Sequence, residues 1–195
     1  NQPIQTIPNL IDFEQLNSKH KLYSRKKLKL KNKPTILFQN TSGEFWKGTE
    51  NVEKIIDYLG NKYQFTSFGH GRGYSGAVNL GYTKNRDLLS NFYSSADIFV
   101  FLTKYEPFGK VLFEAAWCGT RVVSFKNTGT YDLYENDSWW TILSSDKINH
   151  ICDKIKISLN QKNIDTKVIQ RKILQKIDEN QIIDSYKKIY KNLLN

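Results

Sequence analysis

The sequence predicts an α/β fold in which a parallel sheet is covered by helices on both faces. Short apolar runs of strand length, such as residues 98–102, alternate with segments of helical periodicity. That run is apolar throughout, which is typical of a strand buried on both faces. Because the chain has 195 residues, it can form one Rossmann-like domain with a sizeable core.

Each element can be assigned in order along the chain. The predicted strands cover residues 35–39, 63–68, 77–82, 98–102, 121–125 and 139–143. The predicted helices cover residues 51–59, 87–96 and 108–118, and the pattern is helical throughout from residue 146 onward. We therefore divide the chain into a linker with a short basic helix (1–33), a Rossmann-like domain (34–178) and a closing helix (179–195).

The chain carries a net charge of +10, mostly because of its many lysines. Between Lys19 and Lys33 there are eight Lys or Arg residues and no Asp or Glu. A solvated helix or linker face is the simpler interpretation of this run, and contact with an anionic membrane surface is the alternative. Nucleic acid is not an expected partner, because its readers favour arginine, which stands at only five positions here.

Other features of the sequence limit where the protein can be located and which chemistry it can perform. No apolar run is long enough to span a bilayer, and Cys118 and Cys152 lack metal or redox spacing, so we expect reduced thiols in a cytoplasmic protein. Because the three histidines do not cluster in the sequence, no metal site is expected, and His70 is expected to be exposed. Residues 69–73 contain three glycines without the spacing of a phosphate loop, which predicts a flexible connector.

The absence of methionine indicates a piece of a longer protein.

The most informative stretch lies between Glu106 and Glu114. Glu114 stands in the middle of a helix that is apolar on nearly every side, and a buried carboxylate without a partner is costly. Lys110 is the one basic residue within a helical turn of Glu114, so a ligand rich in hydroxyl groups is a candidate partner for the Glu114 carboxylate. The alternatives are a structural salt bridge from Glu114 to Lys110 or another Lys, and a helix N-cap role for Glu106.

The start of the same helix suits an anion. Pro107 is tolerated in a first helical turn, and Gly109 has no side chain to block the approach of a ligand. The free N–H groups and the positive end of the helix dipole favour a phosphate there. In a parallel sheet this turn lies beyond the carboxyl ends of the strands, where ligands bind.

Several segments in a fixed order carry a family resemblance. Glu106 and Glu114 match an E-x7-E signature, and the other segments are residues 7–12, 46–48 (Trp46-Lys47-Gly48), 80–82, 93–100, 118–123 and 186–190. Together they resemble the C-terminal, nucleotide-sugar-binding half of a GT-B glycosyltransferase, and most of all glycosyltransferase family 4, of the group 1 glycosyltransferases. The resemblance implies a retaining hexosyltransferase that needs no metal or other cofactor, with a nucleoside-diphosphate sugar as its substrate. It also implies a missing N-terminal acceptor domain, against which residues 179–195 would pack, and a role in building a bacterial surface glycan or glycolipid.

The resemblance also implies a role for each matching residue. Glu106 would accept hydrogen bonds from the transferred sugar, and Lys47 would neutralise the diphosphate leaving group. Glu114 would hold the ribose diol. The remaining donor-binding residues lie at the helix start and at the base-reading turn: Phe108, Gly109, Lys110, Tyr82 and Thr83.

Some residues depart from the family pattern. The family has an Arg a few residues before the Lys-Gly pair, where this chain has Gln39-Asn40-Thr41-Ser42. Half of the cationic phosphate clamp is therefore absent, and a catalytically silent nucleotide-sugar-binding regulatory module is the alternative function. The isolated piece is expected to bind donor but to transfer little. The segment Thr128–Asp132 resembles a family loop near the donor, and Trp139 and Trp140 are predicted to pack in the core rather than to form a sugar platform.

Overall fold

The computed structural model describes residues 7–41, 47–126, 134, 137–162 and 164–194. Six strands form one sheet in the order β3-β2-β1-β4-β5-β6, and every neighbouring pair is parallel. The strands are β1 (Thr35–Gln39), β2 (Gln64–Phe68), β3 (Val78–Asn79), β4 (Ile98–Phe101), β5 (Arg121–Phe125) and β6 (Trp140–Leu143). The predicted α/β class, with a Rossmann-like parallel sheet, is confirmed.

Helices cover both faces of this sheet. They are α1 (Lys21–Lys27), α2 (Val52–Leu59), α3 (Arg86–Ser95), α4 (Lys110–Trp117), α5 (Ile148–Asn160), α6 (Thr166–Lys176) and α7 (Glu179–Leu194). One apolar cluster joins the sheet to α2 and α5, and the other joins it to α3, α4 and α6. Both clusters are built from buried side chains, so the sheet is the middle of three layers.

Successive residues of the strands belong in turn to the two apolar clusters on opposite faces of the sheet. In β1, Ile36 and Phe38 belong to the cluster with α2, whereas Leu37 between them belongs to the cluster with α4. In β4, Ile98 and Val100 face α2, and Phe99 and Phe101 belong to the other cluster. Because successive strand residues point to opposite faces, a strand covered on both sides must be apolar at every position, as the sequence shows.

The strand order creates a crevice between β1 and β4. The chain runs outward from β1 to β2 and β3, and then returns to place β4 on the other side of β1. At such a switch point the two connections leave in opposite directions, which opens a cleft at the carboxyl ends of the strands. The segments after β1 and β4 are therefore the ones that frame a binding site.

Three predicted boundaries differ from the structure. Helix α4 begins at Lys110 rather than Phe108, because Gly109 has a φ of 72°, in the left-handed region, and cannot be a helical residue. Strand β3 has two exposed residues instead of six, since it lies at the sheet edge. The continuous helical pattern after residue 146 is divided into α5, α6 and α7, with Asp165 capping α6 by accepting from the Lys167 N–H.

Four of the eight basic residues between Lys19 and Lys33 pair with two aspartates elsewhere in the fold. Lys19 and Lys27 pair with Asp87 at 2.7 and 3.1 Å, and their hydrogen bonds lower the pKa of Asp87 below its usual value. Lys21 and the buried Arg25 pair with Asp97 at 2.7 and 2.6 Å. The expected solvated face is therefore wrong for the buried Arg25, whereas Lys27 stays exposed. The four ion pairs attach α1 and the residue Lys19 before it to Asp87 in the first turn of α3 and to Asp97 just after that helix. The two aspartates lie more than fifty residues away in sequence, so the run alone could not reveal them.

Replacing Asp97 with alanine is expected to lower the free energy of unfolding by about 2 kcal/mol. Its carboxylate accepts from Lys21, from Arg25 and from the Thr35 N–H at the start of β1, and removal would leave the buried Arg25 without its carboxylate partner, with only the neutral acceptors Ser95 O and Asn32 Oδ1. Urea unfolding of the variant checks this expectation. The Asp87→Ala variant is the control, because its carboxylate pairs with two cations on the surface and should affect stability much less. Equal losses in the two variants would contradict this account.

Two observations bear on the chain ends and on membranes. Within the described residues, none of the helices has the length and apolar character needed to cross a bilayer. Residues before α1 pack on α4, where Phe13 stacks on Trp117 with ring centroids 4.3 Å apart. Along α7, Ile182 is buried, whereas Tyr186, Tyr190 and Leu193 are exposed. That α7 packs on a missing domain stays a prediction.

Candidate functional site

A cavity of about 430 Å³ lies at the carboxyl ends of β1 and β2, beside the switch point. Its walls come from four parts of the chain: residues 39–41 and Lys47 after β1, residues 68–70 after β2, the turn at Tyr82 and Thr83, and the helices α3 and α4. Four of the predicted site residues line it, namely Lys47, Tyr82, Thr83 and Glu114. The fold thus brings together side chains that are up to 67 positions apart in sequence.

Glu114 has two partners from α3. Its Oε1 lies 2.9 Å from Arg86 Nη1, and its Oε2 accepts a hydrogen bond of 3.0 Å from the Tyr93 hydroxyl. The expectation that Glu114 lacks a protein partner is therefore wrong, and the structural salt bridge is to Arg86 rather than to Lys110. The prediction considered basic residues within one helical turn of Glu114. Arg86 is 28 residues away in sequence and reaches Glu114 across the packed helices.

Glu114 lines the cavity, and Arg86 pairs with it from a position outside the cavity lining. The Glu114 side chain keeps 10% of its surface and lines the cavity, and Arg86 keeps 25%. The surroundings are otherwise apolar, so burial raises the pKa of Cys118 to about 12, with a further contribution from the Glu114 charge. Burial likewise raises the pKa of the Tyr93 hydroxyl well above its usual value, so Tyr93 stays protonated and donates a hydrogen bond to Glu114. Glu114 is thus a fixed acceptor at the edge of an accessible space.

Glu106 lies at the mouth of α4 and interacts with both of its neighbours in the site. Its Oε1 accepts from the Gly109 N–H at 3.2 Å. Since the N-cap of α4 is Gly109 and, within the described part of the chain, no side chain caps this helix, the N-cap role considered as an alternative for Glu106 is wrong. The Glu106 Oε2 lies 3.6 Å from Lys47 Nζ. Gly109 has a φ of 72°, which residues with a side chain rarely adopt, and a Cβ there would also lie 2.8 Å from Leu112 Cδ1 and 3.2 Å from Glu106 Cγ, so glycine is favoured here. Lys47 and Glu106 thus form a charged pair between β1 and the start of α4.

The start of α4 contributes main chain rather than side chains. The first helical N–H groups, at Lys110 and Val111, have no acceptor within the helix, because the helix begins there. Phe108, in contrast, is buried and stacks on Phe113 with centroids 5.3 Å apart. Any contact between Phe108 and a ligand must therefore be made by its backbone. A sequence motif does not tell whether the backbone or the ring of a residue makes such a contact.

The turn that follows β3 forms the opposite wall. Tyr82 is half exposed and stacks on His70, with ring centroids 3.6 Å apart and planes 28° apart. The turn is attached to β2 by the Gly69 N–H, which donates to the Gly81 carbonyl at 3.1 Å. His70 is exposed, as expected, but its place in the cavity wall was missed. The signal available in the sequence was its position, two residues after a buried strand.

Asn40 occupies the region where the family pattern has an arginine. It is fully buried, and its amide lies 3.4 Å from Ser67 Oγ and 3.2 Å from Asn79 Oδ1. Its side chain therefore connects β1, β2 and β3 below the cavity. Trp46 and the segment Thr128–Asp132 lie outside the described residues. Trp139 and Trp140 are buried against Tyr134, as predicted for packing residues.

No group of metal-ligating side chains is found in the part of the chain that the structure describes. The cavity is lined by one carboxylate (Glu114), one cation (Lys47), Val111 from the first turn of α4 and the stacked pair of His70 and Tyr82, and Glu106 and Arg86 contact Lys47 and Glu114 from outside the lining. Such a set can bind hydroxyl groups, an anion and a planar ring in one cleft.

Comparison with solved structures defines the class of fold. The chain superposes on sucrose-phosphate synthase from Thermosynechococcus elongatus with a TM-score of 0.78 and 19% identity, covering 96% of this chain and 52% of that one. For Anabaena HepE in complex with UDP and glucose the TM-score is 0.77 at 15% identity, with 98% and 56% covered. For a glycosyltransferase from Rickettsia africae it is 0.71 at 16% identity, with 96% and 53% covered. The fold is that of GT-B glycosyltransferases, and the chain spans about half the length of these proteins.

The sequence gives the family itself. The model of the family described as "Glycosyl transferases group 1" matches residues 21–175, so the chain belongs to that family. Among curated proteins, none matches the chain by sequence. The group 1 assignment made from the sequence motifs is confirmed.

Proposed function

We propose that this chain is the donor-binding half of a retaining glycosyltransferase of family 4. The complete protein would move a hexosyl group from a nucleoside-diphosphate sugar to a glycan, lipid or protein acceptor, with the acceptor bound by an N-terminal domain. The observation that carries the proposal is the single cavity at the carboxyl ends of β1 and β2, which Lys47, Tyr82, Thr83 and Glu114 line together. Membership of the group 1 family supports it.

Each part of the cavity matches one part of such a donor. Main-chain groups at Tyr82 and Thr83 would contact the base, and Glu114 would accept hydrogen bonds from the ribose diol. The N-terminus of α4 and Lys47 would stabilise the diphosphate as negative charge develops on the leaving group. Glu106, placed between Lys47 and Gly109, would contact the transferred sugar. No step in this scheme is assigned to a metal ion or to another cofactor.

The proposal is tested by titrating the chain with UDP, GDP and ADP in a calorimeter, and then with the hexose derivative of whichever nucleotide binds. At least one nucleoside diphosphate is expected to bind with a Kd in the micromolar range, and to raise the unfolding temperature by mass action. If none of the three binds at millimolar concentration, the donor-binding role is contradicted.

Replacing Lys47 with methionine is expected to weaken binding of the diphosphate about tenfold, because a charge-assisted hydrogen bond to the phosphate is lost. Binding of the nucleoside without phosphates should not change. Calorimetry with UDP and uridine, or the equivalent pair for another base, separates these effects. Lys54→Met, on the exposed side of α2, is the matched control. Equal weakening for nucleoside and diphosphate would contradict the phosphate role of Lys47.

A catalytically silent nucleotide-sugar-binding module is the second candidate. It is favoured by the segment Gln39–Thr41, which supplies no arginine, and by Asn40, whose amide is engaged with Ser67 and Asn79. A complete protein that binds donor, but neither transfers nor hydrolyses the sugar by mass spectrometry, would support this candidate. Sugar transfer to any acceptor would exclude it.

The proposal also covers location. We place the protein in the cytoplasm of a bacterium, with contact to the inner face of the membrane. The support is the net charge of +10 and the exposed Lys26, Lys29 and Lys31 beside α1, which suit an anionic lipid surface. Sedimentation with vesicles containing anionic lipid, at low and high salt, tests this part.

A further inference from the structure

Arg86 and Tyr93 lie on one face of α3 and act on the same carboxylate. They are seven residues apart, which is two helical turns, so both side chains project toward α4. Arg86 donates to Oε1 of Glu114 at 2.9 Å, and Tyr93 donates to Oε2 at 3.0 Å. Within the part of the chain that the structure describes, each oxygen of the carboxylate therefore has one side-chain donor.

This arrangement leaves a defined acceptor capacity. An ionised carboxylate offers about four lone-pair sites, two on each oxygen. Arg86 and Tyr93 occupy one site on each oxygen, so one site per oxygen is available to a ligand in the cavity that Glu114 lines. Two acceptor sites on adjacent oxygens match a pair of vicinal hydroxyl groups.

Arg86 is itself held from the other side. Its Nη2 donates to the Asp12 carbonyl at 2.9 Å, in the segment that packs on α4, while Nη1 donates to Glu114. Arg86 is the first residue of α3, and Asn85 caps this helix by accepting from the Leu88 N–H at 2.9 Å. The planar guanidinium is thus fixed between two acceptors, which a lysine, with its single ammonium group, would not reproduce.

We infer that Arg86 is a positioning residue, which together with Tyr93 orients Glu114 so that its two remaining acceptor sites receive the vicinal hydroxyls of a nucleotide ribose. The inference rests on the proposed function, because it assumes that Glu114 contacts the ribose. Its consequence is selectivity: the site prefers a ribonucleotide over the 2′-deoxyribonucleotide, and this preference depends on Arg86, although Arg86 does not contact the ligand.

The experiment measures this preference directly. UDP, GDP and ADP are each compared with their 2′-deoxy analogues by calorimetry, and the tightest-binding base is used for the variants. The wild-type chain is expected to favour the ribonucleotide about tenfold or more, as for a hydrogen bond to a charged group. Arg86→Met and Tyr93→Phe should reduce the ratio to about one to three, and Arg86→Lys should give an intermediate ratio. Arg171→Met, on the exposed side of α6, is the control and should keep the wild-type ratio.

The variants separate failure of the inference from failure of the proposed function. If Glu114→Ala abolishes the preference but Arg86→Met and Tyr93→Phe retain it, the positioning role is overturned and the ribose role of Glu114 stands. If Arg86→Met binds both nucleotides more tightly and keeps their ratio, Arg86 competes with the ligand, which also overturns the inference. If Glu114→Ala keeps the preference, Glu114 does not hold the ribose and the inference fails, while nucleotide binding by the chain stands. If none of the nucleotides binds, the proposed function fails and the inference with it. Should Arg86→Met not fold, Arg86→Lys and Tyr93→Phe carry the test.

Discussion

The Glu114→Ala variant is expected to bind its nucleoside diphosphate about a hundredfold more weakly than the wild-type chain, because two hydrogen bonds to an ionised group are lost. In the structure this carboxylate lines the cavity and is held by Arg86 and Tyr93, so it is already oriented before a ligand arrives. Isothermal titration calorimetry with the best-binding nucleotide measures the change. The unfolding temperature of the variant is recorded in parallel, because the buried Tyr93 hydroxyl also loses its acceptor.

The control for this variant is Glu179→Ala. Glu179 begins α7, is exposed and lies outside the cavity, so its removal changes the net charge equally without touching the site. It is expected to bind nucleotide as the wild-type chain does. If Glu114→Ala is folded and binds equally well, then its pair with Arg86 serves stability alone, and the ribose role is wrong.

The Gly69→Ala variant is expected to lose about 4 kcal/mol of folding free energy, from backbone strain and steric overlap together. Gly69 has a φ of 132°, and a Cβ there would lie 2.1 Å from the Asn40 carbonyl oxygen. That oxygen belongs to the backbone at the end of β1 and also accepts from the Gly71 N–H at 3.3 Å, so it cannot move aside cheaply. The two backbone segments that form the floor of the cavity, at the ends of β1 and β2, would have to separate. Urea unfolding of the purified variant measures the loss.

Gly60→Ala isolates the contribution of strain to this loss. Gly60 also has a positive φ, of 67°, but a Cβ there would meet no atom within 4 Å. Its loss is expected to be about 1–2 kcal/mol, from conformation alone. Similar losses at Gly60 and Gly69 would show that β1 and β2 do not approach each other as closely as the structure has them.

Local patterns predicted most of the fold. The apolar runs at β1, β4 and β5 are strands because they are buried on both faces, and a helix cannot be that short and that uniformly apolar between turn signals. Gly119 ends α4 as predicted, since its N–H and that of Thr120 bond back to Ala116 and Ala115. The start of α4 was misplaced because Phe108 continues the apolar pattern while it packs on Phe113 from outside the helix.

The candidate site was predicted in part, and the residues that were not predicted were missed for one shared reason. Lys47, Tyr82, Thr83 and Glu114 were found because they stand in short motifs. The partners of Glu114 were not, because Arg86 and Tyr93 project from a different helix, and no spacing within α4 encodes a contact across a helix interface. The same applies to Asp87 and Asp97, which neutralise a basic run that is sixty or more residues away. Local chemistry is visible in a sequence, whereas the pairing of charges between elements depends on how those elements pack.

The measurement that tests the central claim most directly is hydrogen–deuterium exchange with and without the nucleoside diphosphate that binds best. If the cavity at the carboxyl ends of β1 and β2 is the donor site, the nucleotide is expected to slow exchange in residues 69–71, 81–83 and 109–112. The amides at the opposite end of the sheet, beside the cavity that Asp97 and Arg121 line, should exchange as before. Protection confined to that opposite end, with unchanged exchange at the start of α4, would contradict the assignment of the site.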